Sequence, residues 1–275
     1  MLAAQRRGRI LSELSRDGTV RVTDLVELLG VSDMTVRRDL VALHREGLLE
    51  KVHGGALAVA EPSSSEPGFA AKSVQRRREK EAIAAAAAEL VHPGMAIAVS
   101  AGTTTHALTG HLARIPDLTV VTNSVWVADV LHRTGDPTTS VLLTGGLRTP
   151  SDALVGPVAV ASLRSLHVDA FFMGVHGMDV RAGFSTPNLL ESETNRAMIE
   201  RSRRLIVCVD SSKWGVVGLS SMAGLSAAAV LVTDSGLPAQ ASGALADHVG
   251  ELVVVDPIDD DEDELDDAGR VREDA

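Results

Sequence analysis

Two spacings of hydrophobic residues divide the chain into a small N-terminal part and a larger C-terminal part. In residues 1–57, apolar positions recur three and four residues apart, which is the period of amphipathic helices. From residue 93 onward, short apolar runs alternate with helical segments, a pattern typical of a parallel sheet covered by helices on both faces. The 275 residues are enough for two hydrophobic cores. We therefore expect a two-domain α/β protein.

Residues 24–43 have the pattern of two helices joined by a tight turn. The leucines of residues 24–29 share one helix face, and Gly30 can end that helix in the left-handed conformation. The hydroxyl of Ser32 can cap the second helix. The inward side of this second helix is predicted to carry Val36, Leu40 and Leu43.

Three polar residues are left on the outward side of the second helix, near its start: Thr35, Arg37 and Arg38. Arginine can bind guanine bidentately or clamp phosphate, and threonine can contact a thymine methyl group or a phosphate. Together with Ser32, they predict a helix that reads the major groove of DNA. The alternative is a solvated face, with both arginines beside Asp33 and Asp39; the turn and the cap favour DNA binding.

A short hairpin is predicted directly after this helix pair. Residues 47–56 have a strand-like alternation at Leu49, Lys51 and His53, and a double-glycine turn, Gly54–Gly55, follows. Such a hairpin forms a wing beside the helices, from which Lys51 and His53 can reach the DNA backbone or the minor groove.

The rest of the chain is divided by composition. A first helix is predicted over residues 3–15, with a small strand at Val20 and Val22. Residues 58–72 contain two prolines, three serines and a glycine, as expected of a linker. A helix over residues 73–91 follows. The arginine run at its start could contact DNA, but we favour the interpretation that it is the solvated start of the helix. The predicted division is therefore a DNA-binding domain at 1–57, a linker at 58–72, an α/β domain at 73–256 and an acidic tail at 257–275.

Seven apolar runs in the α/β domain are predicted strands: 96–100, 118–122, 140–144, 170–175, 204–209, 229–233 and 251–255. The helical segments between them include 104–113, 125–131, 158–166 and 191–203.

Polar, glycine-rich loops follow the first five strands: Ala101–Thr105, Asn123–Ser124, Gly145–Gly146, Gly174–Asp179 and Asp210–Lys213. The carboxyl ends of parallel strands share one edge of the sheet, where small ligands bind. A glycine-threonine sequence that opens a helix offers amide and hydroxyl donors to phosphate, and Lys213 would add a positive charge. Each loop alone is explained as a turn or a cap, and Lys213 could pair with Asp210. Five such loops in succession favour a ligand site.

The net charge of −11 is unevenly distributed. Residues 1–60 carry a net charge of +1, whereas residues 256–275 carry −9. Most of the acidity therefore lies in the tail, which we expect to be disordered and solvated. A competing hypothesis is that the tail competes with DNA for the basic helix.

The composition also argues against several classes of protein. No stretch is apolar enough to span a membrane, and the N-terminus lacks the apolar core of a secretion signal. The only cysteine, Cys208, lies in an apolar run, and no Cys/His spacing suits a metal. We therefore expect a cytoplasmic protein without a metal or another cofactor.

The helix pair and the wing also resemble a known family. The motif Ser32-x-x-Thr35-Val36-Arg37-Arg38-Asp39-Leu40, followed by Leu43, Gly47 and His53-Gly54-Gly55-Ala56, resembles the winged helix-turn-helix of the DeoR family of bacterial transcriptional regulators. Later motifs resemble the DeoR-type sensor domain: Glu79-Lys80-x-x-Ile83-Ala84, Gly102-Thr103-Thr104-Thr105, Val121-Thr122-Asn123-Ser124, Gly145-Gly146, Phe172-Met173-Gly174-x-x-Gly177-Met178-Asp179, Glu191-Ser192-Glu193 and Asp210-Ser211-Ser212-Lys213.

The resemblance implies a fold, a ligand and a set of binding residues. The DeoR-type sensor domain is similar to ribose-5-phosphate isomerase, and in the family it usually senses a phosphorylated sugar or a related metabolite. The implied phosphate contacts are Gly102, Thr103 and Thr104, and the implied sugar contacts are Asn123, Gly145, Asp179, Glu191 and Lys213. The chain departs from the family pattern at Ser100, where an acidic residue is common, and near Asn195, where a basic residue is common. Both departures bear on the identity of the effector.

We expect a transcriptional regulator without catalytic residues, and more specifically a repressor of a carbohydrate-use operon. Its expected partners are double-stranded operator DNA, a phosphorylated metabolite and further copies of the chain, as a homodimer or a larger assembly. One competing hypothesis makes the second domain a sugar-phosphate isomerase or transferase that uses Glu191 as base or nucleophile. Another is a purely architectural DNA-binding protein without an effector.

Overall fold

The computed structural model describes residues 3–45, 48–57 and 68–257. The chain forms two compact units, Met1–Pro62 and Ser63–Ala275. Gly47, residues 58–67 of the predicted linker and residues 258–275 of the predicted tail lie outside the described residues. No helix among the described residues is both long enough and apolar enough to cross a membrane.

The first unit is a winged helix-turn-helix. Its elements are α1 (Ala3–Asp17), β1 (Thr19–Arg21), α2 (Val22–Leu29), α3 (Asp33–Arg45), β2 (Glu50–Val52) and β3 (Gly55–Leu57). The strands form an antiparallel sheet in the order β1-β3-β2. The residues that pack between helices and sheet are Ile10, Leu14, Val20, Val22, Leu25, Leu29, Val36, Leu40, Leu43, Leu49 and Ala56. The predicted helix pair and wing are confirmed.

Local contacts fix the turn between α2 and α3 as the sequence predicts. Gly30 adopts a left-handed φ of 62°, and its N–H donates to the carbonyl of Val26 at 3.0 Å. Ser32 Oγ accepts the N–H of Thr35 at 3.3 Å, which caps α3. The start of α3 is therefore set by residues within one helical turn of it.

The wing turn differs from the double-glycine turn that the sequence predicts. Val52 pairs with Gly55, so the turn consists of His53 and Gly54, and Gly55 opens β3. A Cβ at Gly55 would lie 2.1 Å from the carbonyl oxygen of Val20. Gly55 is therefore required by the close approach of β3 to β1.

The second unit is a three-layer α/β domain. Its elements are α4 (Phe69–Ser73), α5 (Arg77–Ala88), β4 (Ala96–Val99), α6 (Thr103–Leu112), β5 (Thr119–Thr122), α7 (Val125–Thr134), β6 (Ser140–Leu143), β7 (Leu147–Arg148), β8 (Leu154–Val155), α8 (Pro157–Leu163), β9 (Ala170–Met173), β10 (Gly177–Asp179), β11 (Gly183–Thr186), α9 (Leu189–Glu200), β12 (Leu205–Cys208), β13 (Ser220–Ala223), β14 (Ala228–Asp234), α10 (Ala239–Ala246) and β15 (Leu252–Val255).

All seven predicted strands form one parallel sheet in the order β15-β14-β12-β9-β4-β5-β6. One face packs against α5, α6 and α7, and the other packs against α8, α9 and α10. The strand order reverses direction between β4 and β9, which is where a sheet of this kind opens a crevice for a ligand.

Three features of this unit were not predicted. A second, antiparallel sheet has the order β10-β11-β13, and β7 and β8 form a separate hairpin. Helix α10 was also missed. The helix predicted over residues 73–91 begins only at Arg77, because Arg76 has a left-handed φ of 49° and separates α4 from α5.

The wing geometry gives a stability prediction. Gly55→Ala should destabilise the first unit by about 1–3 kcal/mol, because the new methyl group must displace backbone. Gly8→Ala is the matched control: a Cβ at Gly8 in α1 meets no atom within 4 Å, and alanine should stabilise the helix by about 0.5–1 kcal/mol. Amide hydrogen exchange of residues 1–57 in the full chain measures both changes, and equal protection in the two variants would contradict the prediction.

Candidate functional site

The predicted DNA-contacting residues lie on two exposed elements of the first unit. Arg37 and Arg38 are exposed on α3, and Thr35 is half-buried there. Lys51 and His53 are exposed on the wing. The hydroxyls of Ser32 and Thr35 lie 2.9 Å apart at the start of α3. The arginines and the lysine carry positive charge, and all of these side chains offer hydrogen-bonding groups of the kind that can contact phosphates or base edges.

The two arginines of α3 differ in their surroundings. Arg37 Nε donates to Asp33 Oδ1 at 2.6 Å, one helical turn away, and this hydrogen bond raises the pKa of Arg37. Arg38 forms no ion pair with another described residue. The solvated-face alternative therefore describes Arg37 in the absence of DNA, while Arg38 is available to a partner.

Asp39 anchors α3, a role that was not predicted from the sequence. It is buried and accepts hydrogen bonds from Arg6 Nε at 2.6 Å and Arg7 Nε at 3.3 Å. Both arginines come from α1, so the carboxylate joins α1 to α3. Removing one partner of a buried ion pair is costly because the other charge is left uncompensated. Asp39 therefore holds α3 in place and is not part of a solvated face.

The start of α6 lies where the sequence predicts phosphate contacts. Gly102 has a φ of 154°, a conformation that residues with a side chain rarely adopt. Its carbonyl accepts the first hydrogen bond of the helix, from the N–H of His106. The amides of the first turn therefore point out of the helix end. Thr103 is half-buried and Thr104 is buried, so the Thr103 hydroxyl is the more accessible donor.

Two buried polar side chains hold this loop at the carboxyl edge. Ser100 Oγ accepts the N–H of Gly174 at 3.0 Å and so bridges the ends of β4 and β9. Asn123 Oδ1 accepts the N–H of Ala101 at 2.9 Å, and its Nδ2 donates to the carbonyl of Leu154 at 3.2 Å. Ser100, at which the chain departs from the family pattern, thus forms a structural hydrogen bond across the point where the strand order reverses. Asn123 is largely used in positioning the Gly-Thr loop.

The other predicted sugar contacts lie on separate elements. Gly145 is half-buried after β6, with a φ of 71°. The carboxylate of Asp179 accepts the amides of Arg181 and Ala182 in its own hairpin turn, and these bonds lower its pKa. Glu191 lies in the first turn of α9 and accepts the hydroxyl of Thr186 at 3.0 Å. The effector-binding roles of these residues stay predictions.

A cluster of charged residues lies at the end of β12. Asp210 is buried and caps a short 3-10 turn, Ser211–Lys213, in which Lys213 is half-buried. Lys80 is only 6% exposed, and its Nζ donates to the carbonyls of Lys72 and Gln75 at 2.6 Å each. The pKa of Lys80 is lowered to about 8, mainly by burial and in part by the positive charge of Lys213, while the carboxylate of Asp210 opposes the shift. The burial of Lys80 was not predicted from the sequence.

The described residues include no group of His, Cys, Asp and Glu that could hold a metal. Cys208 is buried in β12, and burial raises the pKa of its thiol to about 12, which makes it unreactive.

Two family models match the chain. The DeoR-like helix-turn-helix domain matches residues 6–61, and the DeoR C terminal sensor domain matches residues 75–235. The HTH-type transcriptional regulator YulB of Bacillus subtilis is 37% identical over 256 residues, which cover 93% of this chain and 98% of YulB.

Two further relatives are named as repressors. A protein of Escherichia coli O157:H7 named for transcriptional repression of the aga operon is 34% identical, over 92% of this chain and 94% of its own. Transcriptional repressor AccR of Agrobacterium fabrum is 34% identical, over 84% and 89%.

Among solved structures, ribose 5-phosphate isomerase from Plasmodium falciparum has a TM-score of 0.37 at 16% identity, over 53% of this chain and 55% of the isomerase. At that score the likeness supports no functional argument.

The buried charge of Lys80 gives a pH prediction. Its proton leaves the folded state at about pH 8 but leaves the unfolded chain near the ordinary value of 10.5. Between these values the unfolded chain binds more protons, so the contribution of Lys80 to the free energy of unfolding should rise with pH. Chemical unfolding of the wild type and of Lys80→Met from pH 7 to 10.5 isolates that contribution, and parallel curves for the two proteins would refute it.

Proposed function

The chain belongs to the DeoR family of transcriptional regulators and is itself a DNA-binding regulator of transcription; on that premise, we propose that it represses a carbohydrate-use operon and is controlled by a phosphorylated sugar or a related metabolite. The two relatives named as repressors, one of them for the aga operon, support repression. The carboxyl edge of the seven-stranded sheet supports control by an anionic ligand.

The observation that carries the DNA-binding half of the proposal is the presentation of Arg38. It is exposed on a helix that is capped by Ser32 and anchored by Asp39, so its position is defined before DNA arrives. We propose that Ser32, Thr35, Arg37 and Arg38 contact the operator from α3, and that Lys51 and His53 contact it from the wing. Because one such module buries little DNA surface, the regulator would act as a homodimer or a larger assembly.

The effector half of the proposal rests on donors that converge at one edge. The amides and the Thr103 hydroxyl at the start of α6 would bind phosphate, and Lys213 would add charge. Control requires that the metabolite bind the DNA-competent and DNA-incompetent states with different affinities. An architectural DNA-binding protein would need no such site.

The competing enzyme hypothesis receives less support. The matched relatives are transcriptional regulators over nearly their whole length. The carboxylate of Glu191, its proposed base, is engaged by the hydroxyl of Thr186. Turnover of a pentose or hexose phosphate by the purified chain would reverse this ranking.

Arg38→Ala tests the DNA contact. If Arg38 reads a base, operator binding should weaken by about 1–3 kcal/mol, and discrimination at one position of the site should relax. The matched control is Arg133→Ala, which removes an exposed arginine from α7 in the second unit. The operator DNA is obtained by selecting duplexes that bind the full chain from a random pool. If titration shows that Arg38→Ala binds this DNA with unchanged affinity, Arg38 does not have the proposed role.

A thermal-shift screen against phosphorylated sugars tests the effector site. A ligand at one hundred times its Kd should stabilise the folded state by about 2.7 kcal/mol, and so raise the melting temperature. Lys213→Ala should reduce the shift caused by the best ligand. Arg133→Ala again serves as the control, and a screen in which no phosphorylated metabolite shifts the wild type would count against the effector.

A further inference from the structure

Residues 68–76 form a strap at the start of the second unit. The strap consists of α4 and the turn that leads to Arg76, after which α5 begins. In the sequence, it follows directly on the residues that join the DNA-binding unit to the rest of the chain. A change in how the strap is attached would therefore act on the covalent connection between the two units.

The first end of the strap is held by an aromatic contact. The ring of Phe69 lies edge-on to His106, with centroids 5.4 Å apart, and stacks on Trp126 at 5.7 Å. Trp126 is itself fixed by its indole N–H, which donates to Asp152 at 2.8 Å. His106 is the fourth residue of α6 and Trp126 the second of α7. Phe69 therefore rests on the ends of two helices that begin at the carboxyl edge of the sheet.

The second end of the strap is held by hydrogen bonds and ion pairs of two cationic side chains, Lys80 and Arg76. Lys80 Nζ binds the carbonyls of Lys72 and Gln75, which places a cation at the C-terminal end of α4. Arg76 pairs with Glu79 at 3.3 Å, and its Nε lies 3.9 Å from Asp210 Oδ1. Asp210 begins the turn that carries Lys213.

Both attachments thus touch elements of the proposed effector site, namely the start of α6 and the turn that carries Lys213. Lys213 repels the charged form of Lys80, whereas the carboxylate of Asp210 attracts it and has the larger effect. An anion bound at Lys213 would neutralise the repulsion and favour the attached strap. A phosphate at the start of α6 would order the helix end on which Phe69 rests.

We propose that the strap is the coupling element of this regulator: an anionic effector tightens the attachment of residues 68–76 through Phe69 and Lys80, and the attached strap changes DNA affinity. This inference rests on the proposed effector site and adds the route from that site to the DNA-binding unit. Phe69 and Lys80 are positioning residues, since neither needs to contact the effector.

The first test measures the strap itself in the full chain. Amide hydrogen exchange is followed in residues 68–76 with and without inorganic phosphate, at constant ionic strength set with chloride. Exchange in the strap should slow about fivefold or more, the lower end of typical coupling between two sites. Lys213→Ala should abolish the effect. In a Trp214→Phe background, Trp126 is the sole tryptophan, and its emission should change over the same phosphate range.

The second test measures coupling to DNA. For each protein, the affinity for the selected duplex is compared with and without the sugar phosphate that gives the largest thermal shift. Phe69→Ala and Lys80→Met should bring the ratio of the two affinities close to one while the thermal shift by the ligand persists. Val74→Ala is the matched control, because Val74 lies in the strap but is 79% exposed. Phe69→Leu retains an apolar contact, so its ratio of DNA affinities with and without ligand should lie between those of Phe69→Ala and the wild type.

The outcomes separate the two proposals. If ligands shift the melting temperature but amide exchange in the strap and Trp126 emission stay constant, the proposed coupling through the strap is wrong and the proposed effector site stands. The same holds if Phe69→Ala and Lys80→Met retain the wild-type ratio of DNA affinities. If neither phosphate nor any sugar phosphate binds, both proposals fall.

Discussion

Parallel pairing of all seven strands is the constraint on which the candidate site depends. Because every pairing in the sheet is parallel, the loops that leave the strands in the C-terminal direction gather at one edge. The strand order reverses between β4 and β9, and in sheets of this kind a ligand crevice forms at such a point. The bond from Gly174 N–H to Ser100 Oγ spans this point, and the Asn123 amide steadies the loop beside it. Hydrogen bonds from two neutral side chains therefore hold the loops on either side of this point.

Local patterns explain how much of the fold could be predicted from the sequence. Gly30 and Ser32 act within one helical turn, and each strand of the parallel sheet is a short apolar run, so these elements follow from neighbouring residues. The sheet of β10, β11 and β13 has strands of three or four residues, and β11 pairs with β13, which is more than thirty residues away. No local period marks such a pairing.

The site was predictable to a different degree. Loops after strands identified the edge because topology alone brings them together. Asp39 and Lys80 were missed as buried groups because each lies among charged neighbours in sequence, and its partners are provided by packing. The partners of Asp39 come from α1, and those of Lys80 are carbonyls of α4 and the adjoining turn, in a segment whose composition resembles a linker.

Buried charged side chains occur in both units of this regulator. In the described part of the chain, the buried ionisable side chains of Asp, Glu, Lys and Arg are Asp39, Lys80, Asp210 and Asp234. Burying a charge is costly unless it is paired and hydrogen-bonded, and apolar residues often stabilise a core as well or better. Asp39 fixes the helix proposed to read DNA. The other three converge on the carboxyl edge, where Asp234 holds Ser211 through its amide and hydroxyl beside Asp210. Buried charge therefore occurs at the two places that we propose contact DNA and the effector, where the position of a side chain matters as well as stability.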